Sequence, residues 1–171
     1  CLAVFLALFV VALAPSRSRA VVAPASFVVE NAVPGASFTT PVAIALFPDG
    51  RFLVAEKRGL VYLVTNGAKS AAPLLNLQNE VLDVNDRGLL DIAVDPHFST
   101  NRYIYLDYTV DPDSNGVDNN DAAFGRVTRY QFSSLDPNVI DLSSRTILIG
   151  ATWREGFPSG SPSHSMGALR W

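Results

Sequence analysis

Cysteine is almost missing: Cys1 is the only one in 171 residues, and it belongs to an N-terminal apolar segment. If that segment is cleaved, no thiol remains, which excludes a disulfide staple, a Cys-ligated metal and a Cys nucleophile. Cys1 precedes the apolar run instead of following it, which argues against a lipidated cysteine. Histidine is nearly as scarce, with His97 and His164 alone, and two separated imidazoles do not make a metal site. An excess of either charge is also lacking. Thirteen Lys and Arg against sixteen Asp and Glu leave a net charge of −3. With no basic patch, nucleic acid and anionic membrane surfaces are poor partners. No Gly-x-Ser-x-Gly elbow occurs, and Ser163 and His164 are adjacent, so they do not face one another as a nucleophile and base would.

Apolar residues are plentiful, at 49%. That is enough at this length for one domain with a sizeable core. Eleven Gly and eleven Pro, spread along the chain, imply many turns and few long helices. The run from Leu2 to Ala14 is too short to span a bilayer comfortably and has the length of a signal-peptide h-region. Ser18-Arg19-Ala20 or Val21-Val22-Ala23 supplies the small residues that a signal peptidase needs. Residues 1–20 are therefore read as a signal peptide, with cleavage near 20–23. A buried core helix is the alternative, although nothing amphipathic flanks the run. Neither an initiator Met nor a basic n-region precedes it, so the true start is expected upstream. The mature chain is expected to be exported, to a periplasm or the outside, with no membrane segment of its own.

Beyond that segment the pattern is strand, tight turn, strand. Val42 to Phe47 ends at Pro48-Asp49-Gly50; Arg51 to Glu56 ends at Lys57-Arg58-Gly59; Leu60 to Thr65 ends at Asn66-Gly67. Short β-rich runs joined this tightly make a meander. A second unit starts with Leu89 to Val94, turns at Asp95-Pro96 and continues as Arg102 to Val110, where Ile104, Leu106, Tyr108 and Val110 share one face. Gly125 to Phe132 and Arg145 to Ile149 follow, and Gly167 to Trp171 reads as the opening strand of a third unit. Units recur at roughly 45 residues, the spacing of four-stranded propeller blades. The fold class expected is all-β, a β-propeller of which the chain covers about two and a half blades, residues 24–171 being the N-terminal part. A β-sandwich is the rival, but its strands alternate more cleanly between apolar and polar.

Four places hold residues suited to chemistry. In Asp111-Pro-Asp113-Ser-Asn115-Gly116 the side chains imitate the start of a calcium loop. However, Ala122 stands where a bidentate Glu belongs, so a solvated acidic connection is the plainer reading. Asp86 and Arg87 precede the Gly that opens a buried strand, so both are expected at one rim of the sheet. There Asp86 binds a polar ligand, pairs with Arg87 or caps the turn. His97 follows Pro96 in a surface turn and is read as structural. His164 lies among Ser161, Ser163 and Ser165, where a neutral imidazole at a strand entrance can act as a general base; a plain surface or packing role is the alternative.

Taken together, "FPDGRFLVAEKRGLVYLV", "NDRGLLDIAVDPHFSTNRYIYLDYT", "GRVTRYQF" and "HSMGALRW" resemble, in order and spacing, the soluble quinoprotein glucose/sorbosone dehydrogenase family. The resemblance implies a six-bladed propeller when complete, holding pyrroloquinoline quinone (PQQ) with calcium, an aldose sugar as substrate and a separate electron acceptor. It gives His164 the role of catalytic base, which removes a hydroxyl proton at the anomeric carbon as hydride passes to the quinone. It puts Asp86 at a sugar contact. Ser163 replaces the acidic residue that precedes the family's catalytic His. The resemblance puts the quinone and calcium contacts in later blades, expected beyond Trp171, so none is assigned to this sequence. The alternative function is a non-catalytic extracellular binding propeller of the same architecture.

Overall fold

A computed structural model of the protein describes residues 23–117, 123–161, 163 and 165–171. The expected signal segment, His164 and residues 118–122 of the acidic loop lie outside that set. The chain divides into two compact units, Cys1–Asn31 and Ala32–Trp171. The described part of the first is a turn in which Phe27 N–H donates to the Pro24 carbonyl (3.0 Å). Among the described residues no helix is long and apolar enough to cross a membrane.

The second unit is two antiparallel sheets. In the first, β1 (Pro41–Leu46), β2 (Phe52–Glu56) and β3 (Leu60–Thr65) are joined by the turns that the Gly positions mark. Asn66 and Gly67 both take positive φ (51° and 74°), the geometry of a two-residue hairpin turn, and lead into β4 (Ala68–Lys69). Pro73 then interrupts the edge, because proline has no N–H to give a ladder. Pairing to β3 resumes with β5 (Leu75–Asn76), so β4 and β5 share the outer strand position.

The second sheet repeats the plan. β6 (Leu89–Val94), β7 (Tyr103–Val110), β8 (Phe124–Phe132) and β9 (Ile140–Ile149) form a meander. A four-residue helix, α1 (Phe98–Asn101), lies in the β6–β7 turn, and β10 (Phe157–Pro158) pairs with the start of β8. β9 is longer than the 145–149 expected and is bulged against β8. Residues 167–171 form no strand. Instead, Leu169 N–H donates to Asp91 Oδ2 and Trp171 Nε1–H donates to the Val94 carbonyl (2.7 and 3.0 Å), so the segment lies against β6 without joining its ladder.

β1 packs along β6, and one core fills the space between the sheets. Leu53, Ala55, Val61 and Leu63 from the first sheet meet Leu89, Ile104, Leu106 and Tyr108 from the second. Phe47, Phe98 and Phe132 close one end, with ring centroids 4.6–5.5 Å apart. At roughly 1.5–3 kcal/mol for each large side chain buried, this layer is what holds the sheets face to face. The alternate set Ile104, Leu106, Tyr108 and Val110 lies in that core, as its spacing predicts. On the opposite face Tyr103 and Tyr105 are half-buried, and Asp107 and Thr109 are buried.

Candidate functional site

The antiparallel register brings distant turns to one rim. The 57–59 turn, the 83–88 connection, the 111–117 loop and the 159–163 stretch all gather where β6 and β8 begin and β7 ends. His97 and the Asp49-Gly50 turn belong to the opposite rim. There the His97 backbone N–H donates to Asp95 Oδ1 (2.8 Å), and its ring is exposed.

Gly88 is the hinge of the rim. Its φ is 146°, and a Cβ there would lie 2.7 Å from Lys57 Cγ and 2.8 Å from the Lys57 carbonyl oxygen, so only glycine lets the two turns approach. That contact is used: Leu89 N–H donates to the Lys57 carbonyl (2.8 Å), Thr109 N–H to the Gly88 carbonyl (2.9 Å) and Lys57 Nζ to the Asp83 carbonyl (2.6 Å). Asp86 stands exposed on this turn. Arg87 does not emerge beside it, contrary to expectation. Its guanidinium is turned inward, buried to 1% exposure, and Nη2 donates to the Ser159 carbonyl. The turn that carries Asp86 is thereby tied to the stretch that carries Ser163. A buried guanidinium is tolerated where it is hydrogen-bonded, and here it anchors backbone 72 residues away. Nothing local in the sequence marks this role.

The serine stretch is partly self-supporting. Ser159 is buried, its Oγ 3.4 Å from Ser165 Oγ. Ser163 N–H donates to Ser161 Oγ (3.3 Å), and Ser163 itself is exposed. Ser159 and Gly160 line a cleft of about 420 Å³ together with Phe124, Trp153, Arg154 and Pro158. Asp86 and Ser163 thus both reach solvent at the rim, while His164, between Ser163 and Ser165, lies outside the described residues.

The acidic loop turns on itself. Asp111 is buried and Oδ2 accepts from Gly116 N–H (2.7 Å); Asp113 accepts from the Asn115 side-chain amide (2.6 Å); Asn115 Oδ1 accepts from Val117 N–H (2.6 Å). These are the bonds of turn-forming side chains to their own backbone. Among the described residues no three His, Cys, Asp or Glu gather to hold a metal.

Below the rim, Asp91 and Asp107 are cross-strand partners on β6 and β7, and both are buried. Burial, with Asp91 adding charge repulsion, pushes the Asp107 carboxyl up to about 7. One neighbour of a like pair is commonly kept protonated in this way. On the core side, Glu80 Oε1 accepts from Tyr108 Oη (2.7 Å) and from Arg126 and Arg145 (2.5 Å each). Burial opposes ionisation of Glu80, but these donors outweigh it and hold the carboxyl below its ordinary range.

Two adjoining antiparallel meander sheets repeat one plan, as the blades of a β-propeller do, and comparison with known proteins identifies the fold and its kind. The chain belongs to the Glucose / Sorbosone dehydrogenase family, whose model matches residues 38–143. The match includes Asp86 and stops short of Ser163 and His164. A glucose dehydrogenase structure superposes with a TM-score of 0.51 at 20% identity, covering 65% of this chain and 30% of that one. The soluble aldose sugar dehydrogenase of Escherichia coli in its apo form gives 0.51 at 24% identity, covering 65% and 29%. Hedgehog-interacting protein of Homo sapiens is 27% identical over 130 residues, 72% of this chain and 18% of that protein. The chain therefore spans under a fifth of this curated relative and about 30% of the solved structures.

Proposed function

We propose that the chain is the N-terminal part, from residue 24, of an exported quinoprotein oxidoreductase that oxidises an aldose at its anomeric carbon. The observation that carries this reading is the family match over 38–143, which takes in the Asp86 turn. Arg87 joins that turn to the serine stretch next to His164. In this reading His164 accepts the anomeric hydroxyl proton on an imidazole nitrogen. Asp86 accepts hydrogen bonds from sugar hydroxyls, and Ser163 contributes a hydroxyl where the family carries an acid. Loss of that proton raises electron density on the oxygen and eases departure of hydride from the same carbon, so a base poised near neutral pH contributes on the order of a hundredfold or more.

PQQ and calcium are part of the proposal by family resemblance. The described residues of this chain do not form their site. No metal-holding cluster is present among them, and Lys57 and Arg87 at the rim are already engaged by backbone carbonyls. No step is therefore derived through either group.

The test is reconstitution of the full-length protein with PQQ and calcium, followed by sugar-dependent dye reduction. Turnover is expected with at least one aldose, falling about a hundredfold or more in His164→Ala. No turnover over a broad panel, or unchanged turnover in the variant, overturns the reading. The second reading, a non-catalytic binding propeller, is favoured by two observations: the similarity to Hedgehog-interacting protein and Ser163 in place of an acid. Stable binding of a protein ligand without sugar turnover is its signature.

A further inference from the structure

We infer that Asp91 is a positioning residue that latches the 165–171 segment onto the second sheet, fixing the backbone that leads out of the His164 position. This inference rests on the catalytic reading of His164 above. Its geometry is independent of that reading. Asp91 is only 7% exposed, and its two carboxylate oxygens are fully used. Oδ1 accepts from Ile92 N–H (2.8 Å), which fixes the rotamer on its own strand. Oδ2 accepts from Leu169 N–H (2.7 Å) and from Arg170 Nη1 (2.9 Å). A single oxygen thus holds both a main-chain amide and a guanidinium 78 and 79 residues away. Charge-assisted bonds of this kind are roughly twice as strong as neutral ones.

Further contacts align the same segment. Trp171 packs edge-on against Tyr105 at 5.0 Å and donates to the Val94 carbonyl. Met166 covers Gly125, where any side chain would run into its thioether. Upstream, Ser159 is held by Arg87 and by Ser165. The described residues at 159 and at 165–171 are therefore each pinned to the second sheet, and among them Asp91 supplies a charged pin for 169 and 170.

The groups around the latch are few. From β7, Asp107 faces Asp91 across the ladder, and burial together with Asp91 raises its own affinity for a proton. Tyr105 lies on the same face, and from β8 the nearby cation is Arg129, stacked over Tyr103 at 4.1 Å. From the segment itself the charged group is Arg170.

Hydrogen–deuterium exchange on the full-length protein, without sugar or quinone, tests the latch directly. Asp91→Asn is expected to speed exchange of the 165–171 amides about tenfold or more, with strands β1–β3 unchanged. Because Asp91→Asn also loosens a buried site, Arg170→Gln is the second variant. Its side chain is largely exposed, so the fold survives, and a several-fold acceleration confined to 165–171 is expected, reversed by Arg170→Lys. In the active enzyme the same variants lower kcat several-fold with KM changed less than about twofold, the pattern of a displaced reacting group. Unchanged exchange at 165–171 in both variants overturns the latch whether or not the protein turns over sugar. Turnover lost in His164→Ala alongside an unresponsive 165–171 segment overturns the latch alone.

Discussion

Replacing Asp107 with Asn isolates the cost of one buried carboxyl. Asp107 is 3% exposed and faces Asp91 in the register of β6 and β7. Its carboxyl titrates at about 7 in the fold against an ordinary 3.8, raised first by burial and then by Asp91. A group whose affinity for protons is higher folded than unfolded contributes stability that is complete below about 3.8 and is lost as the pH rises through about 7. At ~1.4 kcal/mol per tenfold in proton affinity, the ionised side chain costs on the order of 4 kcal/mol at pH 7.5. Asn keeps the shape and cannot ionise, but it buries an amide; Oδ1 of Asp107 has no partner among the described residues, and an unmade bond costs about 1–3 kcal/mol. The net expectation is a variant roughly 1–3 kcal/mol more stable than the parent at pH 7.5 and less stable at pH 4.5. Denaturant titrations of both full-length proteins at pH 4.5, 6 and 7.5 read the difference directly, and carboxylates remote from Asp107 cancel in it. A difference that does not change with pH would show that Asp107 ionises as freely folded as unfolded, and the electrostatic account of this face would fail.

Other outcomes follow from the same contacts. Gly88→Ala forces a Cβ onto Lys57 and is expected to cost roughly 1–3 kcal/mol, read as a lowered denaturation midpoint; an unchanged midpoint would mean the two turns are not in contact. Arg87→Met frees the Ser159 carbonyl and is expected to open the 159–165 stretch to limited proteolysis, leaving strand β3 protected; equal cleavage rates in parent and variant count against the anchor. Tyr108→Phe removes a hydroxyl that donates to Glu80 and accepts from Arg145, for about 1 kcal/mol. Glu80→Gln is expected to flatten the acid limb of stability, because a carboxyl held below its ordinary range contributes above that range and loses the contribution as the pH falls through the lowered value.

Much of the scaffold is written locally. Pro48-Asp49-Gly50, Lys57-Arg58-Gly59 and Asn66-Gly67 each sit between β-rich runs, and a turn with Gly at positive φ sets both strand pairing and register within a few residues. The alternate residues of β7 separate the core face from its opposite in the same way. That logic fails where the outcome depends on what lies across a sheet. The segment 167–171 has the apolar pattern of a strand, yet its bonds go to Asp91 and Val94, so it stays outside the ladder. Arg87 reads as a rim residue because it precedes the Gly that opens a buried strand; its burial is explained by a carbonyl 72 residues later.

The candidate site divides along the same line. From its residue types the sequence alone determined a β-propeller scaffold, the family motifs and the identities of Asp86, Ser163 and His164 as candidates. Tertiary structure alone decided that the Asp86 turn and the serine stretch share one rim, that Arg87 ties them, and that a carboxyl pair lies beneath. The physical reason is range. Turn chemistry acts over two to four residues and is visible in order, whereas these couplings exist only once two sheets have packed and brought distant backbone within hydrogen-bond reach.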